Sequence, residues 1–147
     1  DKDIKQITKK EISLVTNNKP SNDELNDMLF AWKVVKHINS NAIVFVKNTA
    51  TIGIGAGQMS RVDSTKIAKR KVQEMIQSNE KKKNFCFGAV AASDAFFPFP
   101  DGITELAKAG IKAIIQPGGS LNDQDVIDEA NKYNISMVFT KTRHFKH

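Results

Sequence analysis

An α/β sheet covered by helices on both faces is the fold class this sequence predicts. Two observations carry it. Short apolar runs of strand length alternate with helical periodicity through the second half of the chain, at residues 103–109, 113–116, 123–133 and 136–139, and such alternation marks a sheet layered with helices. In the first half, two β-rich runs at residues 42–46 and 50–54 sit either side of a polar turn, between two stretches of helical spacing. At 147 residues and 40% hydrophobic composition the chain is long enough for one domain with a real core, and a second is not expected.

Residues 1–20 read as a linker or arm with a short extended candidate at residues 12–15, ending in the polar stretch Thr16-Asn17-Asn18-Lys19-Pro20. Ser21-Asn22-Asp23-Glu24 then has the form of a capping box, and apolar residues follow at helical spacing. A helix over residues 22–37 is predicted. Ala42-Ile43-Val44-Phe45-Val46 and Ala50-Thr51-Ile52-Gly53-Ile54 flank Lys47-Asn48-Thr49, the pattern of a β-hairpin. After it, Val62, Ile67, Ala68, Val72, Met75 and Ile76 fall on one face of a helix over residues 60–78. A buried strand is expected at residues 87–92, and the cluster Phe96-Phe97-Pro98-Phe99-Pro100 after it cannot extend a ladder, so it forms a shaped loop. The helix at residues 103–109 stops at Gly110, and the strand, glycine-rich turn, helix and strand named above complete the chain. There are no internal repeats.

The bulk properties exclude several classes. No apolar run is long enough to cross a bilayer and no signal-peptide pattern precedes the fold, so a cytosolic protein is expected. Cys86 stands alone, which rules out an intrachain disulfide and a multi-cysteine zinc site, and between Phe85 and Phe87 it reads as a buried inert thiol. The net charge of +6 invites a nucleic-acid partner, yet the excess is lysine and no nucleic-acid motif accompanies it. A solvated lysine surface, including Lys81-Lys82-Lys83, accounts for it. The first residue is Asp1 rather than Met, as expected of a segment of a longer protein.

Ligands of open α/β sheets collect at loops beyond strand ends, and four loops stand out. Gly53-Ile54-Gly55-Ala56-Gly57-Gln58-Met59-Ser60-Arg61 runs from strand to helix, where glycines allow close backbone approach and the helix start favours an anion. Gln58 breaks the dinucleotide fingerprint, and no Gly-Lys-Ser/Thr sequence is present. Ser93-Asp94-Ala95-Phe96-Phe97-Pro98-Phe99-Pro100-Asp101-Gly102 sets two carboxylates around aromatic rings, which serves either as core or as a stacking face for a planar heterocycle. Gln116-Pro117-Gly118-Gly119-Ser120 offers backbone amides and a hydroxyl, and Thr142-Arg143-His144-Phe145-Lys146-His147 offers an arginine for phosphate. Lys36-His37 could perform acid-base chemistry, but at a helix C-terminus the dipole explains both residues.

Taken in order with Ser40-Asn41, these four loops resemble one family, the bifunctional purine enzyme that joins a ribotide transformylase to inosinate cyclohydrolase. The resemblance spans residues 32–147 and corresponds to the C-terminal part of the family's chain, its transformylase module. It implies a three-layer α/β/α unit over residues 21–147 with a mixed sheet, cytidine deaminase-like and lacking the zinc site, in keeping with the lack of Cys-x-x-Cys and His-x-Glu.

The resemblance also implies roles. Residues matching Asn41, Arg61, Phe96 and Arg143 contact aminoimidazole carboxamide ribotide, and those matching Val62, Asp101, Ser120 and Leu121 contact the co-substrate 10-formyltetrahydrofolate. A potassium ion is implied near Ser40 and Asp94, with oxygen ligands suited to a hard cation. The general acid-base pair that formyl transfer requires lies, in the family, in a Lys-His-x-x-Pro-x-Gly context that Lys36-His37-Ile38-Asn39 does not match. No catalytic residue is therefore assigned within this chain, whose expected partners are the ribotide, folate and a second copy of itself, with neither nucleic acid nor membrane. A noncatalytic basic α/β module for nucleotide or RNA is the alternative from a different class.

Overall fold

Ser21 closes the expected capping box, its hydroxyl accepting from the Glu24 N–H at 3.1 Å while the Glu24 carboxylate accepts from the Ser21 N–H at 2.9 Å. Two of the donors a helix start leaves open are thereby satisfied. In the computed structural model, which describes residues 11–57, 60–77 and 88–140, this cap opens helix α1, Asn22–Val35. Met28, Ala31, Trp32 and Val35 form its buried stripe. The helix ends before His37 because His37 and Ile38 donate to the carbonyls of Val34 and Val35, a tighter i to i−3 turn. Gln58, Lys81, Lys82, Lys83, Cys86 and Arg143 lie outside the described residues.

The strands are β1 (Ser13–Leu14), β2 (Ile43–Lys47), β3 (Ala50–Gly55), β4 (Val90–Ser93), β5 (Ala113–Gln116) and β6 (Ser136–Phe139), in the spatial order β1-β6-β5-β4-β2-β3. β4, β5 and β6 run parallel, and the other neighbours are antiparallel, so the sheet is mixed as expected. The β2–β3 hairpin turns through Asn48 and Thr49, both at positive φ, and Asp27 of α1 accepts from both N–H groups at 3.1 and 2.7 Å. Two such residues match the right-handed twist of the strands they join.

Alternation along the strands divides the core into two layers. Val44, Val46, Val90, Ala92, Ile115 and Val138 meet α1 on one face. Ile43, Phe45, Ala91, Ile114 and Met137 meet helices α2 (Arg61–Gln77), α3 (Asp101–Lys108) and α4 (Asp123–Lys132) on the other.

Three expectations need correction. The strand placed at residues 87–92 begins at Val90, because Gly88 turns the chain at φ +79 and donates to the Gly110 carbonyl. Helix α3 begins at Asp101 rather than Ile103. The segment read as a linker or arm supplies the edge strand β1, in register Ser13↔Phe139 and Leu14↔Val138. Its polar residues find partners across the fold: Thr16 Oγ1 accepts from the Met137 N–H at 2.8 Å, and the Asn17 N–H donates to Asn131 Oδ1 at 2.9 Å.

Candidate functional site

All the candidate loops within the described residues emerge at one end of the strands. Ile43 at the start of β2 pairs with Gly55 at the end of β3 and with Ser93 at the end of β4, while Gln116 and Phe139 close β5 and β6 side by side. Residues 38–42, 56–57, 60–61, 94–100 and 117–122 therefore gather where parallel strands leave their carboxyl ends, the place where α/β sheets take ligands.

At the centre lies the buried Asp94. Its carboxylate accepts from the Ala42 N–H at 3.0 Å and from the Ser40 hydroxyl, and the Arg61 guanidinium stands 3.5 Å away. Arg61 also donates to Asn41 Oδ1, and the Asn41 carbonyl accepts from the Ser64 hydroxyl at 2.6 Å. Three separate loops are locked together by these contacts. Asn41 and Arg61, both expected to meet the ribotide, are thus neighbours, and the carboxylate that orients Arg61 is the residue expected to hold a cation. Arg61 and protein donors account for the Asp94 charge as it stands.

The aromatic loop divides its rings between the two uses expected of it. Phe97 is core, seated so closely against Gly102 that a Cβ there would lie 2.5 Å from the ring. Phe96 is half-buried, and Phe99 is exposed. Asp101 opens α3 at the surface, and Leu121 stands fully in solvent next to the half-buried Ser120. Val62 follows Arg61 in the first turn of α2. Arg143 lies beyond Thr140, the last described residue after β6.

Several residues to which the sequence assigned no role shape the site, Gln116 among them although it opens one of the candidate loops. Ser64 carries a hydroxyl that its helical periodicity hides. Gln116, wholly buried, accepts from the N–H groups of Phe97 and Gly118 at 3.4 and 3.3 Å. Asp123 accepts from the N–H groups of Gly119 and Ser120 at 2.8 and 3.0 Å, and Asn122 reaches the Pro98 carbonyl at 2.8 Å. Nothing in the sequence separates these polar side chains from those of ordinary turns and helix faces.

The layer order, the mixed sheet and the cluster of strand-end loops define a cytidine deaminase-like α/β/α unit. RibD of Acinetobacter baumannii shares the fold with a TM-score of 0.51 at 15% identity, over 80% of this chain and 34% of that one. A dCMP deaminase of cyanophage S-TIM5 gives 0.49 at 15% identity, over 81% and 98% of the two chains. Among the described residues no three His, Cys, Asp or Glu side chains come together as a metal site, and no helix is long and apolar enough to cross a membrane.

In sequence, the chain is similar to the bifunctional purine biosynthesis protein PurH. It is 54% identical to that of Magnetococcus marinus over 147 residues, all of this chain and 28% of the relative. It is also 54% identical to that of Oceanobacillus iheyensis over 145 residues, 99% of this chain and 26% of the relative. The family model described as the AICARFT/IMPCHase bienzyme matches residues 1–71. The chain spans little more than a quarter of the length of these purine-biosynthesis relatives, and the likeness does not itself divide their two activities.

Proposed function

We propose that this chain is part of the formyltransferase unit of such a bienzyme, which moves a formyl group from 10-formyltetrahydrofolate to aminoimidazole carboxamide ribotide. The observation that supports this best is the convergence of Asn41, Arg61 and Phe96 with the loop bearing Ser120 and Leu121 at one end of the strands. Two substrates have to meet there, one anionic and one a fused heterocycle.

The roles follow from chemistry. Arg61, steadied by Asp94 and Asn41, presents a guanidinium to the ribotide, and Arg143 supplies a second cation. Phe96 offers its ring to the imidazole. Asp101, exposed at the start of α3, accepts from N–H groups of the pterin, with Val62, Ser120 and Leu121 flanking it. In the reaction the ribotide amine forms a bond to the formyl carbon and loses a proton, while the bond from that carbon to the folate nitrogen breaks and that nitrogen gains one. These residues bind and orient. The proton is handled by a Lys-His pair outside this chain, in a homodimer whose sites lie at the subunit interface, and a potassium ion beside Ser40 and Asp94 belongs to the same proposal.

The test compares the chain alone with the bienzyme that contains it, following tetrahydrofolate release for formyl transfer and inosinate formation for ring closure. The chain alone is expected to give no turnover; turnover would return Lys36-His37 as the candidate base. In the bienzyme, Arg61→Ala is expected to raise the KM for the ribotide by about tenfold or more, the cost of one charge-assisted contact, and to leave ring closure unchanged. Loss of ring closure with formyl transfer intact would place the chain in the cyclohydrolase half. An affinity of the chain for RNA above that for the ribotide would favour the binding module instead.

A further inference from the structure

We propose that Gln116 is a positioning residue that ties the ribotide half of the site to the folate half, an inference that rests on the formyl-transfer reading. Gln116 ends β5 and has no exposed surface. A buried primary amide is costly unless its donors and acceptors are met, and a Leu or Met would fill the same volume without that cost. Here the amide is used on both sides of the site. Its Oε1 accepts from the Phe97 N–H at 3.4 Å, one residue beyond Phe96, and from the Gly118 N–H at 3.3 Å, two residues before Ser120. Its Nε2 is set against Met137 Sδ at 3.2 Å, which fixes the orientation of the amide from β6.

The loops it joins need such a tie. Gly118 and Gly119 adopt φ of +69° and +102°, a backbone that glycine takes up freely, so the shape of the turn is set by the contacts around it. Asp123 sets the local shape of residues 119–120, and the Asn122 side chain adds a second link across the loops at the Pro98 carbonyl. Gln116 and Asn122 therefore bind one loop to the other from below and from the surface, and neither belongs to the residues assigned to substrate. Movement of the Phe96 loop and of the Ser120-Leu121 loop is coupled through them, so the two substrate sites order each other.

The test uses Gln116→Met, Gln116→Glu and Asn122→Ala in the complete bienzyme, with steady-state kinetics for both substrates. Gln116→Met is expected to raise both KM values, each by about tenfold, with kcat changed much less. Gln116→Glu, whose buried protonated carboxyl keeps an acceptor and a donor in place, is expected to restore both. Asn122→Ala is expected to raise both KM values less, and it decides the matter alone if Gln116→Met does not fold. Unchanged KM values with a lower kcat, or a change confined to one substrate, overturn the inference. Absence of any formyl transfer by the unaltered bienzyme would instead defeat the functional reading beneath it.

Discussion

Arg61 and Asp94 are held with side chains only 10% and 1% exposed, so each charge depends on the other. Removing one partner of such a pair leaves the second uncompensated, which costs about 3 kcal/mol or more. Asp94→Ala is therefore expected to lower the unfolding free energy by about 3 kcal/mol, read from urea denaturation, whereas Asp101→Ala, exposed at the start of α3 where its carboxylate accepts from the Gly102 N–H, is expected to lower it by no more than about 1 kcal/mol. Equal effects would show that the Arg61–Asp94 pair is not held as described. Arg61→Lys keeps the charge but loses the fork that reaches Asn41 and Asp94 together, so it is expected to stabilise less well than arginine. At this scale the sequence pointed to Asn41 and Arg61 as neighbours of one ligand. It could not show that Asp94, fifty-odd residues from Ser40 along the chain, would be the counter-charge, because that pairing exists only once β2 and β4 lie side by side.

Helix α2 approaches β3 more closely than side chains normally permit, and the two glycines that the sequence placed in a strand-to-helix loop, Gly53 and Gly55, lie in β3 and are the reason. A Cβ on Gly55 would lie 1.8 Å from the Ser64 carbonyl oxygen, and one on Gly53 would lie 2.7 Å from that of Ala68. The sequence suggested that these glycines bring backbone to a ligand. The structure shows that Gly53 and Gly55 bring backbone to α2, while Gly57 at φ +66 has open space around it. Both readings require the same residue type, and no pattern in the sequence separates them. Gly55→Ala is expected to destabilise the fold by about 3 kcal/mol, the upper end of overpacking, and to shift Arg61, which begins α2, away from Asn41. A thermal melt checks the first effect, and ribotide affinity in the bienzyme checks the second. By contrast, α1, β5 and α4 were readable almost to the residue, since a capping box, a β-branched run and an amphipathic stripe act locally. The start of β4 was not, because Gly88 is ended by a bond to Gly110 on the far side of α3.

Across the described residues, the sheet ends in two different edge strands, β3 and the short β1. β3 is one edge strand, with α2 packed on its face, whereas β6 would be the other edge without β1. Periodicity could find the extended run at residues 12–15, but a strand of two residues carries too little pattern to reveal its partner, and the polar stretch after it reads as linker. What holds it is a set of long-range polar contacts: the Val15 N–H to the Met137 carbonyl at 3.1 Å, Thr16 to the Met137 N–H, and Asn18 Nδ2 to the Asn134 carbonyl at 2.9 Å. An uncovered parallel strand with hydrophobic neighbours is a template for pairing with other chains. Deleting residues 1–18 is therefore expected to speed amide exchange across Ser136–Phe139 and to shift the protein toward higher-order species in size-exclusion chromatography. Thr16→Val, which keeps the shape and removes the acceptor, is expected to cost about 1–3 kcal/mol by leaving the buried Met137 N–H without its partner. Because β6 leads directly to Thr140 at the site edge, loosening it also loosens the frame against which Gln116 and Met137 are set. A truncated chain that elutes at the same size as the full chain, with unchanged exchange in β6, would show instead that the sheet is complete at β6 and that the first residues are the linker their composition suggests.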